Sequence, residues 1–197
     1  MDWPVAGSNA FMAIAVIALL AAPLVGNHGG WRRLPRPVAF AFVLLAIFSL
    51  SLLAFSWRGI PGGITAALFG HVALVVAVAA LAQAGKLIRF VVADKLSGAL
   101  VALAASTLVV LGIFAVGPLA GRLSPSATAV ALFANPLVAI TSAAGIDLLH
   151  LDAIYRTSPL AHRGVALPAW TTASAVYAVV GLAAYGTSRI RSRSQQP

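Results

Sequence analysis

Side chains able to hold a metal, a cofactor or a proton are few in this chain, and their spacing sorts them into three groups. Asp147, His150 and Asp152 form an Asp-x-x-His-x-Asp cluster. On a helix Asp147 and His150 share a face, and carboxylate and imidazole together are ligands for a divalent metal. Three well-placed ligands and a supporting shell are the usual requirement, so solvated polar residues at an aqueous boundary are the ordinary expectation and metal binding the sharper one. His71 is the one imidazole inside a long apolar run, 62–84. An ionisable group at such a position marks a functional hypothesis: haem ligation, a quinone contact or a proton relay. A bis-histidine haem needs a second ligand at similar depth, and His28, His150 and His162 all fall between the apolar runs. A neutral imidazole bonded to a neighbouring helix is therefore expected at His71, with a haem or quinone contact as the alternative. The third group is basic: Arg32, Arg33 and Arg36, then Lys86, Arg89 and Lys95, then Arg189, Arg191 and Arg193. These read as anchors at a membrane surface, and Arg32, Arg33, Arg36, Lys86, Arg89 and Lys95 alternatively as a docking surface for a cytoplasmic partner.

Catalysis finds no support. Cysteine and glutamate are absent, which removes thiolate chemistry and leaves Asp2, Asp94, Asp147 and Asp152 as the acids. There is no Gly-x-Ser-x-Gly elbow, His-Glu-x-x-His pair, phosphate loop or pair of intramembrane carboxylates. Ser106 and Thr107 have no base near them in sequence. The chain reads as a non-enzyme. Its net charge of +9 reflects missing acids as much as abundant bases. The bases flank apolar runs instead of lining a soluble face, which argues for lipid head groups over nucleic acid.

The elements that carry these residues are membrane spans. Hydrophobic residues make up 61% of the 197 and charged residues 9%, against roughly 25% charged in a soluble domain. Stretches 10–26, 38–56, 62–84 and 97–120 are uncharged and close to the ~17–25 residues a spanning helix needs. Stretches 126–146 and 169–187 are also uncharged. The prediction is an all-α polytopic bundle of five to six spans forming a single membrane domain, 1–197. Trp3, Trp31, Trp57 and Trp170 all fall at predicted span ends, where indole rings prefer to lie. The N-terminus lacks the basic region of a signal peptide, so the first span is expected to be retained.

Charge then chooses between five spans and six. Strict alternation gives eight bases against five. If 126–146 enters and leaves on one side, nine bases collect inside and Arg58, Arg122, Arg156 and Arg163 remain outside. The second arrangement fits the positive-inside rule better. Asn135-Pro136 at the centre of that stretch supplies the irregularity, because proline removes a backbone donor and disfavours helix at the residue before it. Five spans with a re-entrant or interfacial element around Asn135-Pro136 are expected, N-terminus outside and C-terminus inside. Segment 86–96, with Leu87, Ile88, Phe90, Val91 and Val92 among its bases, is expected to lie along the inner surface. Gly98, Ala102 and Ser106 form a small-residue stripe for helix packing, as do Ala66 with Gly70 and Ala173 with Gly181.

The C-terminal half has a distinctive order. A span ending Gly112-Ile113-Phe114-Ala115-Val116-Gly117-Pro118 leads through Gly121-Arg122-Leu123-Ser124-Pro125 to Phe133-Ala134-Asn135-Pro136-Leu137. A polar stretch with Tyr155, Ser158-Pro159 and Pro168-Ala169-Trp170 follows, then a last span and a basic tail. Over about 97–193 this resembles the type-2 ABC exporter permeases, in which short outer re-entrant helices bearing an Asn-Pro stand between the fifth helix and the last. The resemblance implies a permease subunit in a bacterial inner membrane, homo- or hetero-oligomeric, served by a separate cytoplasmic ATPase. It puts 30–37 where the family's ATPase-coupling loop is expected, without that loop's acidic residues, and leaves the family's first helix unmatched. The competing expectation is a non-catalytic subunit of a larger respiratory or photosynthetic complex, its haem or quinone contact at His71.

Overall fold

The structure is a computed structural model and describes residues 3–28, 63–92, 94–119, 122–148 and 169–194. These residues form six α-helices and no strand: α1 Trp3–Asn27, α2 Gly63–Val91, α3 Lys95–Leu119, α4 Pro125–Phe133, α5 Pro136–Ala143 and α6 Trp170–Ser194. Runs of Ala, Leu and Val satisfy every backbone group within the helix, as hydrocarbon demands. Three helices are long and apolar enough to cross a membrane, through Gly7–Asn27, Gly63–Val91 and Lys95–Phe114; counting the bent pair α4–α5 as one span makes four. Side chains such as Val75, Leu108, Val179 and Leu182 stand exposed on the outer faces, a surface that lipid and not water must cover. The expected span 38–56 lies outside the described residues.

One expectation needs correction. Segment 86–96 is not a surface helix: α2 continues through Lys86 and Arg89 to Val91, and α3 starts at Lys95. No glycine or proline follows Gly85 to stop the helix, and long basic side chains reach the aqueous boundary from a helix end without disturbing it. Asp94 ends the short connection by accepting the Ser97 amide at 2.7 Å, the geometry of an N-cap. That bond and the Ser97 hydroxyl hold its carboxyl below the usual carboxylate range. The stretch 169–187 becomes α6, 25 residues long and less apolar than the three long helices. Thr171, Thr172, Ser174, Tyr177, Tyr185 and Thr187 dilute it.

Pairwise contacts fix the directions. Phe11 of α1 meets His71 of α2 with ring centroids 5.0 Å apart, and fifteen residues on, Gly26 lies against Ala82 and Gly85 against Pro23. Helices α1 and α2 therefore run parallel. The same holds for α2 and α6: Phe69 faces Trp170 at 5.2 Å, Gly181 packs on Ala80, and the Lys86 ammonium lies 6.0 Å from the Tyr185 ring centre. Helix α3 runs the other way, since its first residue Lys95 accepts from the Asn27 side chain at the end of α1. Asn27 and Gly63 thus lie at opposite ends of the bundle.

The bundle consequently has two unlike ends. One holds Trp3, Gly63, Trp170 and the close of α3; the other holds Lys86, Arg89, Lys95, Arg189 and Arg191. We refer to them as the tryptophan end and the basic end. The buried core gathers toward the tryptophan end, around Phe11, Ala15 and Leu19 of α1, Leu74 and Ala77 of α2, Val110 and Ile113 of α3, and the bent pair. Toward the basic end glycines replace large side chains at the contact. A Cβ on Gly26 would stand 1.7 Å from the Ala82 carbonyl oxygen, and one on Gly85 would stand 2.0 Å from that of Pro23. Backbones meet directly there, the close approach that membrane helices use to associate.

Candidate functional site

The bent pair is the one irregular element at mid-bundle depth among the described residues, and its elbow is built from a backbone deficit. Pro136 has no N–H to continue the α4 ladder. Each neighbouring group is met another way. The Asn135 amide turns to Leu132 O, the Leu137 amide donates to Asn135 Oδ1 at 2.9 Å, and the Val138 amide donates to Asn135 O. Asn135 so caps α5 with Pro136 at its first position, a favourable pairing at a helix start. The axes of α4 and α5 meet at 76°.

Two long helices hold this elbow from outside. The Asn135 Nδ2 donates to Val109 O at 2.9 Å and Val110 O at 3.1 Å on α3. The Tyr177 hydroxyl of α6 donates to Ala134 O, a carbonyl that the break leaves without its helical partner. Val110 lies about 14 Å along α3 from Leu119, and Tyr177 about 10 Å along α6 from Trp170, at 1.5 Å per residue. Asn135 is 3% exposed, so its full set of bonds is required and not ornamental.

Both arms of the bent pair belong to the tryptophan end. Helix α4 begins six residues after α3 closes, with the Arg122 and Leu123 amides donating back to Leu119 O and Ser124 capping the new helix. At the close of α5, Ala144 lies against Gly70, where an added Cβ would be 2.7 Å away. The chain therefore enters from the tryptophan end, bends by 76° at Asn135 and closes with Ala144 against Gly70 of α2.

His71 is next to this element. Its Nδ1 lies 2.8 Å from Ala67 O of its own helix, which puts the proton on Nδ1, because a carbonyl only accepts. The ring is half-buried against Phe11. Asp147 is exposed beyond α5; His150 and Asp152 lie outside the described residues, and no group of three metal ligands occurs among those that are described. Gly98, Ala102 and Ser106 are all buried, Gly98 facing the Asn27 amide. Arg32, Arg33 and Arg36 lie outside the described residues. Of the other docking candidates, Arg89 and Lys95 line one hollow with Asn27 and His28, whereas Lys86 turns to Tyr185. Sequence reasoning missed the grip of Tyr177 on Ala134 and the pair Gly26 and Gly85. The first has no local signal; the second was visible only as two glycines in separate apolar runs.

No protein-family model, curated protein or solved structure matches the chain.

Proposed function

We propose that this chain is a permease-like membrane subunit of an ABC-type transport system, driven by an ATPase on another chain. The observation that carries this reading is the bent Asn135-Pro136 pair, held between α3 and α6. A broken helix pair at that place in the chain order is the feature by which residues 97–193 resemble type-2 exporter permeases. Irregular backbone at membrane depth is tolerated where protein covers it or a cavity needs it. An exporter has a use for it, because a short element entering from one side can move without dragging a full span.

Orientation follows the charges. The basic end faces the cytoplasm and the tryptophan end faces out, by the positive-inside rule. Helix α6, packed along α2, makes a further crossing in this arrangement. The basic end is the face offered to the ATPase, in a bacterial cytoplasmic membrane.

The test is a tagged purification in mild detergent, with every co-purifying chain identified by mass spectrometry and a visible spectrum recorded. A stoichiometric ATPase, with ATP hydrolysis that falls when Asn135 is replaced by Ala, is the expected result. Redox or pigment-bearing partners, or a chromophore lost in His71→Ala, would overturn the reading and make the chain an accessory subunit.

A further inference from the structure

At the basic end, the close of α1, the last turn of α2 and the first turn of α3 enclose a hollow of about 510 Å³ lined by Asn27, His28, Arg89, Lys95, Leu96 and Ala99. We propose that this hollow binds the phosphate of an anionic phospholipid head group. The inference is independent of the transport reading, since it concerns lipid and not cargo.

Among the described residues, the lining contains a guanidinium, an ammonium and an imidazole but no carboxylate. The nearest acid in sequence, Asp94, is engaged in capping α3 through the Ser97 amide. Arg89 is aimed by one long bond from its Nη1 to Asn27 O at 3.4 Å, which leaves the rest of its planar fork for an oxyanion. Asn27 ties the walls together, with its Nδ2 donating to Lys95 O on α3 at 3.4 Å. It is 6% exposed, and its Oδ1 has no hydrogen-bond partner. Like charges converging on one hollow repel one another at short range, and a phosphate between them reverses the sign of that interaction.

The apolar side says which phosphate. Leu96 lines the hollow, and Leu100 and Leu103 continue from it along α3 at helical spacing, all three exposed on the outer face. A head group seated between Arg89 and Lys95 would lay its acyl chains along this leucine stripe. A soluble phosphate would leave the stripe unused. Basic hollows between helices at a cytoplasmic surface are suited to anionic lipid.

The full chain, purified in detergent, is delipidated and offered equal dioleoylphosphatidylglycerol and dioleoylphosphatidylcholine, and retained lipid is counted by native mass spectrometry. One phosphatidylglycerol per chain is expected to survive, preferred by about tenfold over the zwitterionic lipid. Lys95→Gln, at an exposed position, should lower that retention about fivefold, and Arg89→Gln with Lys95→Gln should abolish it. Arg189→Gln with Arg191→Gln should leave it unchanged. Equal retention of both lipids, or full retention by Lys95→Gln, would overturn the proposal. Displacement of phosphatidylglycerol by excess inorganic phosphate or glycerol 1-phosphate would also overturn it, by showing a site for a soluble anion.

Discussion

Asn135 does three jobs with one side chain: it caps α5 and holds two carbonyls of α3. Replacing it by Ala removes a cap worth about 1 kcal/mol and two further bonds of about 1 kcal/mol each. Asn135→Ala should therefore destabilise the detergent-solubilised protein by about 2–3 kcal/mol, read as a lower midpoint of thermal unfolding by tryptophan fluorescence. Asn135→Asp should be worse than Ala, because it keeps the cap but sets carboxylate oxygen against two carbonyl oxygens. Tyr177→Phe should cost about 1 kcal/mol and loosen α6 from the elbow, seen as faster hydrogen exchange near Ala134. At Asp94 the carboxyl lies below its ordinary range because the Ser97 amide and hydroxyl favour the charged form. The cap is thus complete above the unfolded carboxylate range and lost only as pH falls through the lowered folded value. Circular dichroism should show helix content flat at neutral and mildly acidic pH, with any loss at α3 confined to stronger acid and absent in Asp94→Asn. The irregularity at Asn135-Pro136 was legible in the sequence; its anchors were not, since a hydroxyl forty-three positions away leaves no local mark.

Helices meet here in two ways, through side chains near the tryptophan end and through bare backbone near the basic end. Gly26→Ala or Gly85→Ala would put a methyl group within 1.7 or 2.0 Å of a carbonyl oxygen on the facing helix. Overpacking of this kind costs about 1–3 kcal/mol or more. Each variant should lower the unfolding midpoint sharply, whereas Gly112→Ala, with nothing within 4 Å of the new methyl, should leave it unchanged or raise it. Apolar length and charge spacing placed α1, α2 and α3 to within a few residues at most ends. They failed on 86–96, where alternation of bases with apolar residues looks the same at the end of a spanning helix and on a helix lying flat. Pairing was poorly legible for a related reason: in alanine-rich helices many small-residue stripes exist, and only the facing helix selects which one is used.

At the scale of the molecule, the polarity of the two ends is the main feature. Six described bases stand at one end, and Arg122 stands near the other. The absence of cysteine makes this testable with single introduced thiols. In intact cells a membrane-impermeant maleimide should label Ser126→Cys and Thr171→Cys, both exposed at the tryptophan end. Ser97→Cys should react only after permeabilisation. Labelling of all three from outside, or of Ser97→Cys alone, would reverse or dissolve the assigned orientation. Most of this polarity was readable from counting bases on alternate sides. What counting could not supply was the direction of each helix, which came from three-dimensional neighbours such as Phe11 with His71 and Phe69 with Trp170.

Parallel packing of α1 on α2 also sets an order of assembly during synthesis. Helices α2 and α3 are joined by a tight connection and can pair as soon as both have left the ribosome. The contact of Gly26 with Ala82 and of Gly85 with Pro23 joins positions about sixty residues apart, and such distant contacts form late. The glycine surface of α1 therefore cannot meet its partner until the far end of α2 has been inserted. A nascent chain arrested before Ala82 should leave Gly26 open to cross-linking by lipid-borne reagents, and one arrested after α3 should protect it. Quality control that recognises unpaired membrane helices would find this chain most vulnerable in that interval.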